Sequence, residues 1–94
     1  MTDPGPLERA TLPPTFQRWE LVLEPGEERP TSASEWAGAI VLVERGCMEV
    51  ECRAGGRGSF QAGELLALGW LPLRTLRNRG NEAVELVAVR RRRS

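Results

Sequence analysis

The sequence has no histidine, no lysine and no tyrosine among its 94 residues. Imidazole is the side chain that most often binds transition metals and that acts as a general base near neutral pH. Glutamates, one aspartate, two cysteines and arginines are the ionisable groups that remain. These groups supply too few nitrogen and sulfur ligands for a typical structural zinc site.

Long apolar runs and an excess of either charge are also missing. No run approaches the roughly 18 apolar residues of a membrane-spanning helix, and no charged-then-apolar leader is seen. We therefore expect a soluble, cytoplasmic protein without a membrane partner. Thirteen arginines balance thirteen acids, which argues against a general electrostatic affinity for nucleic acid. The arginine run at 90–93 is interpreted as a solvated end.

The two cysteines, Cys47 and Cys52, are five positions apart. In a β-strand this odd spacing places their side chains on opposite faces, so a bond between them is not expected. We interpret both as small, reduced, apolar residues of a cytosolic protein.

Short segments with strand-like patterns, separated by glycine and proline, make up most of the sequence. In 16–24, Trp19, Leu21 and Leu23 share one face, whereas the run from Ala39 to Val43 is apolar on both faces. No segment longer than ten residues has a convincing helical period. These features predict an all-β barrel or sandwich. The predicted strands are 16–24, 36–44, 45–53, 64–69, 71–78 and 82–90, with turns at 25–30, 54–58 and 79–81 and a connection at 59–63. A short strand that lacks apolar anchors is predicted at 31–35.

Two stretches resemble the motifs of the small single-domain cupins, which are jelly-roll β-barrels. The first motif opens at Pro25-Gly26 and closes with "VLVERG" at Gly46. In the family, two histidines one residue apart and a glutamate lie between these ends. Their places are taken here by Ser32, Ser34 and Ala39.

The second motif resembles "AGELLALGWLPLRTLRNRGNE". It opens at Ala62-Gly63-Glu64, passes a proline turn at Pro72, and closes at Asn78 and Gly80. The place of the third histidine is occupied by Arg74. The resemblance implies an all-β fold, a cupin-like jelly-roll β-barrel in a single domain over residues 15–91. An extended arm over 1–14 would precede it, and a basic tail over 92–94 would follow.

The substitutions at the motif places imply a protein without metal and without any other cofactor. Serine hydroxyls and alanine cannot replace imidazole or carboxylate ligands, and an arginine cation repels a metal ion. Metal-dependent dioxygenase or isomerase chemistry is therefore not expected.

The resemblance also places Ser32, Ser34 and Arg74 inside the barrel. A buried arginine needs an acceptor, so Arg74 either pairs internally with a carboxylate such as Glu35 or Glu64, or binds the anionic group of a ligand. The predicted ligand-binding residues are Arg74, Ser32, Ser34, Glu35, Trp36 and Met48, and no catalytic residue is assigned.

These observations favour a metal-free module that binds a small polar or anionic molecule or serves a regulatory role. One alternative is a metal-independent isomerase or cyclase that uses a pocket carboxylate, Glu35. Another is a purely structural or interaction protein, which a filled interior would favour. A homodimer is expected because the apolar run from Ala39 to Val43 exceeds what one small core covers.

Overall fold

The computed structural model describes residues 13–92. The predicted arm over residues 1–14 and the end of the predicted tail therefore lie largely outside the described residues. Within 13–92 the helical segments are two short 3-10 turns, and neither has the length to cross a membrane. The described residues form eight β-strands: β1 Phe16–Leu23, β2 Glu28–Pro30, β3 Ile40–Arg45, β4 Cys47–Cys52, β5 Arg57–Gln61, β6 Leu65–Leu66, β7 Leu73–Arg77 and β8 Val84–Arg91. The 3-10 helices are Ala33–Trp36 and Leu68–Trp70.

The strands form two four-stranded sheets in which all neighbours are antiparallel. The first sheet has the order β1-β8-β3-β6, and the second has the order β2-β7-β4-β5. The chain passes from the first sheet to the second at Gly46, between β3 and β4, with a φ of 81°. A Cβ atom there would lie 2.8 Å from the Ala83 carbonyl oxygen. The closing glycine of the first motif is thus required by both backbone conformation and space.

Alternate residues of both sheets point inward and form the core. In β1 the inward residues are Trp19, Leu21 and Leu23, as the alternation predicts. Cys47 and Cys52 lie at the two ends of β4, the first exposed and the second against the core. The buried cluster comprises Leu23, Trp36, Val41, Val43, Met48, Val50, Leu68, Leu73, Leu76, Val84, Leu86 and Ala88.

Several local predictions were wrong. Residues 31–35 are not a strand, because Ala33–Trp36 forms a 3-10 helix. The strand at this place is Glu28–Pro30, inside the predicted turn, and all three of its residues are exposed. The predicted connection at 59–63 overlaps β5 (Arg57–Gln61), which pairs along β4. β2 and β5 are edge strands held by backbone hydrogen bonds, so neither shows a run of apolar residues.

Asn78 links the turn after β1 to the loop between β7 and β8. Its side chain is 1% exposed; Nδ2 donates to the carbonyl oxygens of Leu23 at 2.9 Å and Glu82 at 2.7 Å. Its Oδ1 accepts a hydrogen bond from the Gly80 amide at 2.9 Å. Its backbone amide donates to the Glu27 carbonyl, and its own carbonyl accepts from Gly26. One asparagine therefore satisfies polar backbone groups at the start of the first motif and at the end of the second.

Charged side chains cover the outer face of the second sheet. Arg77 lies at the centre, 2.7 Å from Glu28, 3.1 Å from Glu51 and 3.7 Å from Glu49. The hydrogen bond from Arg77 lowers the pKa of Glu51, against the opposing effect of burial, and the charges of Arg77, Arg57 and Arg74 add to the lowering. The pKa of Arg77 is raised by its hydrogen bonds to Glu51 and Glu28. The ionised form of Glu51 therefore stabilises the folded state.

We expect Asn78→Ala to lower the free energy of unfolding by about 2–4 kcal/mol, because the buried Leu23 carbonyl and the partly buried Glu82 carbonyl lose their donor. Denaturant unfolding followed by circular dichroism measures this. Asn81→Ala, an exposed change in the same loop, is the control and should change stability by less than about 0.5 kcal/mol. Equal effects of the two substitutions would contradict the linking role of Asn78.

We expect Arg77→Met to destabilise the protein at neutral pH, because three glutamates then lose their central cation. Since the pKa of Glu51 is lower in the folded than in the unfolded chain, its contribution to stability is present above the unfolded value of about 4.3 and is lost on acidification. The difference between wild type and variant in unfolding free energy should therefore narrow as the pH falls from about 7 to about 3. A difference that is constant over this range would contradict the prediction.

Candidate functional site

The interior between the two sheets is packed with apolar side chains. Met48 and Val50 of β4 and Leu73 and Leu76 of β7 are at most 2% exposed. Met48 therefore belongs to the core, where it fills space, and it has no exposed surface with which to contact a ligand. A candidate site must lie at the edge or on the outside of this sandwich.

Arg74 does not face the interior, and the prediction of its place was wrong. The pairing of β4 with β7 shifts register between Glu51, opposite Thr75, and Cys52, opposite Leu73. Arg74 is the extra residue in β7, so simple alternation, which puts it on the same side as Leu76, does not apply. Its side chain is exposed and close enough to Glu51 to influence the pKa of that carboxyl. Its carbonyl oxygen accepts a hydrogen bond from the Thr31 amide at 3.0 Å.

Ser32 and Ser34 are close to each other but do not point into the core. Their hydroxyl oxygens are 2.9 Å apart; Ser32 is half-buried and Ser34 is exposed. They lie next to Glu35 and Trp36 in the chain, at the first 3-10 helix. The structure therefore brings four of the predicted residues together at this helix, whereas Met48 lies in the core and the Arg74 side chain is exposed on β7.

A pocket of about 340 Å³ opens beside this helix. It lies between the edge strands of the two sheets, and we call it the rim pocket. Glu35 and Trp36 are the two predicted ligand-binding residues that line it. The full lining is Gln17, Trp19, Glu20, Leu21, Arg29, Glu35, Trp36 and Arg90.

Two tryptophans and an arginine form the wall of the rim pocket. The ring centroids of Trp19 and Trp36 are 5.9 Å apart with an interplanar angle of 29°. The Arg90 guanidinium carbon lies 5.0 Å from the Trp19 ring centroid, within the range of a cation–π contact. Arg90 Nε lies 3.5 Å from Gln17 Oε1, and Nη1 lies 3.4 Å from the Glu35 carbonyl oxygen. Both hydrogen bonds are long, so the guanidinium retains capacity to bind another acceptor.

Thr31 fixes two residues that line the rim pocket, Glu35 and Trp36. Its hydroxyl accepts a hydrogen bond from Trp36 Nε1 at 2.9 Å and donates to Glu35 Oε2 at 3.0 Å. Trp36 also contacts the second 3-10 helix, where a Cβ atom on Gly69 would lie 2.8 Å from the Trp36 carbonyl oxygen. The Trp36 ring is therefore fixed in place, whereas Glu35 is exposed at the pocket edge.

Sequence reasoning missed Arg90, Arg29 and Gln17, and it did not place Trp19 among the ligand-binding residues. Arg90 was grouped with the arginine run at the chain end. Alternation along β8 could have identified it, because Leu86 and Ala88 point inward and Arg90 is the next residue in that series. Arg29 lies opposite Leu76 on the short strand β2, which the sequence did not predict.

A second pocket of about 360 Å³ lies by the β7–β8 loop and includes Cys47, Gln61 and Asn78. Asn78 already uses its side-chain donors and acceptor in the hydrogen bonds described above. Within residues 13–92, no three histidine, cysteine or acidic side chains converge as a metal site would require. The rim pocket is therefore the stronger candidate site.

No protein-family model and no curated protein matches the chain. Several solved structures, in contrast, are similar to this chain in fold. The Cupin_2 domain of an XRE family transcriptional regulator from Enterobacter cloacae aligns with a TM-score of 0.61 and 19% identity, over 85% of this chain and 84% of that one. A cupin 2 conserved barrel domain protein from Salinispora arenicola has a TM-score of 0.60 and 21% identity, over 93% of this chain and 68% of that one.

An RmlC-like cupin family protein with a double-stranded β-helix fold, from Methanocaldococcus jannaschii, has a TM-score of 0.61 and 18% identity, over 81% of this chain and 69% of that one. These likenesses agree with the two antiparallel sheets. The predicted fold class is confirmed: the chain is all-β and has the cupin fold.

Proposed function

We propose that this protein is a metal-free cupin-like module that binds a small anionic molecule with a planar group in the rim pocket. The observation that supports this most is the position of Arg90, whose guanidinium lies over the Trp19 ring at the open rim pocket. Its hydrogen bonds to Gln17 and to the Glu35 carbonyl are long, at 3.5 and 3.4 Å. A guanidinium presents two parallel donors that match a carboxylate or phosphate. A regulatory role, in which ligand binding is the signal, is part of this proposal.

The lining limits the class of ligand. A volume of about 340 Å³ is near the lower end for small-molecule sites, which suits a ligand of one ring or a short chain. Arg29, whose Nη2 lies 3.4 Å from Glu27 Oε2, adds a second positive charge, and the exposed carboxylates of Glu20 and Glu35 supply acceptors. The expected ligand therefore combines one anionic group with a flat apolar part, and a hydroxyl or amine on it would find an acceptor in Glu35.

The alternative of an isomerase or cyclase gains no specific support from this pocket. Its carboxylate, Glu35, is exposed to solvent and hydrogen-bonded to Thr31. Catalytic carboxylates act best where water is excluded and the substrate is held against them. The interaction-protein alternative gains support from the packed interior.

The first test concerns metal content. The places of the family's metal ligands hold Ser32, Ser34, Ala39 and Arg74, which offer no good donor for a divalent transition ion. We expect untagged protein to contain far less than stoichiometric iron, zinc, nickel or manganese. Elemental analysis that gives about one ion per chain, and that persists after chelator treatment and dialysis, would contradict this.

The second test concerns the ligand class. Benzoate and other small aromatic carboxylates are the probes, and neutral benzamide is the matched uncharged control. Quenching of tryptophan fluorescence measures binding in a Trp70→Phe background, since Trp70 is 88% exposed and would add unrelated emission. We expect saturable quenching by carboxylates, with much weaker binding of benzamide.

Substitutions then distinguish Arg90 from the originally predicted Arg74. Arg90→Leu should weaken carboxylate binding by about 1.5–3 kcal/mol, the range for a hydrogen bond to a charged group. Arg90→Lys should restore it only partly, because an ammonium lacks the planar fork. Arg74→Leu should leave binding unchanged. Loss of binding in Arg74→Leu but not in Arg90→Leu would move the site to Arg74, and absence of binding by the whole panel would reject the proposal.

A further inference from the structure

One tryptophan stands in solvent at the end of the second 3-10 helix, just before β7. Among the large apolar side chains of residues 13–92, Trp70 is the most exposed, at 88%, followed by Leu65 at 62%. The ring contacts within these residues join Trp19 to Trp36 and to Arg90, so the Trp70 ring has neither an aromatic nor a cationic neighbour. Both faces of its indole are therefore available to a partner.

Three arginines lie on the strand ends beside Trp70. The Arg53 amide donates a hydrogen bond to the Pro72 carbonyl oxygen at 2.9 Å. Trp70 precedes that proline by two residues, at most about 7 Å of chain, and Arg74 follows it by two. Arg57 begins β5 on the other side of the turn that follows Arg53. We call Arg53, Arg57, Trp70 and Arg74 the Trp70 surface.

The Trp70 surface carries positive charge that is not neutralised locally. Arg53 and Arg74 are exposed, and no carboxylate of residues 13–92 lies within ion-pair distance of either guanidinium. Between residues 52 and 81 the sequence has five arginines and a single acid, Glu64. That glutamate lies beyond the far end of β5, away from the turn that carries Arg53.

Acids on the neighbouring elements already have partners. Glu51 of β4 lies 3.1 Å from Arg77 and 3.4 Å from Arg57. Glu35 of the first 3-10 helix, which packs against the second, accepts a hydrogen bond from the Thr31 hydroxyl at 3.0 Å. The free donors of the Trp70 surface therefore require acceptors from another molecule.

The combination of tryptophan and arginine indicates the class of that molecule. These two residue types are enriched among the residues that contribute most to protein–protein binding. A guanidinium binds carboxylates through two parallel hydrogen bonds. The chain as a whole has no net charge, so its attraction for anions is confined to about one Debye length, roughly 8–10 Å. A short acidic segment fits within that range, whereas a membrane or a nucleic acid also meets the acids around it.

We propose that the Trp70 surface is a docking site for an acidic segment of another protein. Carboxylates of the segment pair with Arg53 and Arg74, and an apolar side chain beside them packs on the Trp70 ring. None of the four residues of this surface lines the rim pocket or the second pocket. The inference therefore does not depend on the proposed ligand.

NMR titration of the full chain with a short peptide tests the proposal. The probe has three glutamates on each side of a leucine–phenylalanine pair. One control peptide replaces every glutamate by glutamine, and another replaces the apolar pair by serine and glycine. The indole N–H signals of the three tryptophans are followed, with Trp70 assigned from Trp70→Phe. We expect the acidic peptide to shift the Trp70 signal with a dissociation constant of about 10 µM to 1 mM, and both control peptides to bind much more weakly.

Substitutions locate the contact, with binding measured by fluorescence anisotropy of the labelled peptide. Arg53→Gln and Arg74→Gln should each raise the dissociation constant about two- to fivefold, the range for an exposed ion pair. Trp70→Ala should raise it at least about fivefold. Arg45→Gln, which removes the same charge from an exposed position on the first sheet, is the matched control and should have no effect.

Four results would overturn the proposal. The first is a Trp70 signal that does not move at the highest concentration of the acidic peptide. The second is equal binding of the glutamine peptide, which removes the role of charge. The third is binding that Arg90→Leu abolishes and that Arg53→Gln and Arg74→Gln leave intact, which places the peptide in the rim pocket. The fourth is binding to phosphatidylserine vesicles, but not to the peptide, that depends on the same two arginines, since the partner is then a membrane.

Discussion

The filled interior is the constraint on which the other features depend. A chain of 94 residues buries only about two-thirds of the surface that it exposes when unfolded, so it has little apolar surface to spare. Here both sheets direct leucine, valine and methionine side chains into the same space, and Met48, Val50, Leu73 and Leu76 are at most 2% exposed. Dense packing of these side chains stabilises the sandwich. Polar chemistry is consequently located at the rim and on the outer faces.

The rim pocket and the outer faces follow from this arrangement in different ways. At the edge between β1 and β2 the sheets are not bridged by backbone hydrogen bonds, and large side chains, Trp19, Trp36 and Arg90, close the gap incompletely. An arginine suits such a place because its guanidinium stacks on an aromatic ring while its donors stay available at the surface. The two outer faces differ: the second sheet carries a charged network around Arg77, and the first sheet carries exposed apolar side chains such as Ile40 and Leu65.

Much of the fold could be predicted from the sequence, and the reasons for the failures are physical. The strands β1, β3, β4 and β8 have apolar residues at the positions that face the core, so pattern alone identified them. β2 and β5 depend on pairing with β7 and β4, which no local pattern encodes. The site was predicted less well: Glu35 and Trp36 do line the rim pocket, but one irregularity in β7 turns Arg74 outward. Arg90 was missed because it begins a run of four arginines, which was interpreted as a solvated end although Arg90 belongs to β8.

The motif positions that this chain keeps and those that it changes have different physical roles. Asn78 and Gly46 match the cupin pattern, and both are needed by the backbone: the asparagine bonds Leu23, Gly80 and Glu82, and the glycine has a positive φ beside the Ala83 carbonyl. At the histidine places, the Ser32 and Ser34 hydroxyls bond each other. Arg74 contributes a carbonyl oxygen that any residue would supply. The fold therefore requires Asn78 and Gly46 for its backbone, whereas it requires no particular side chain at positions 32, 34 and 74.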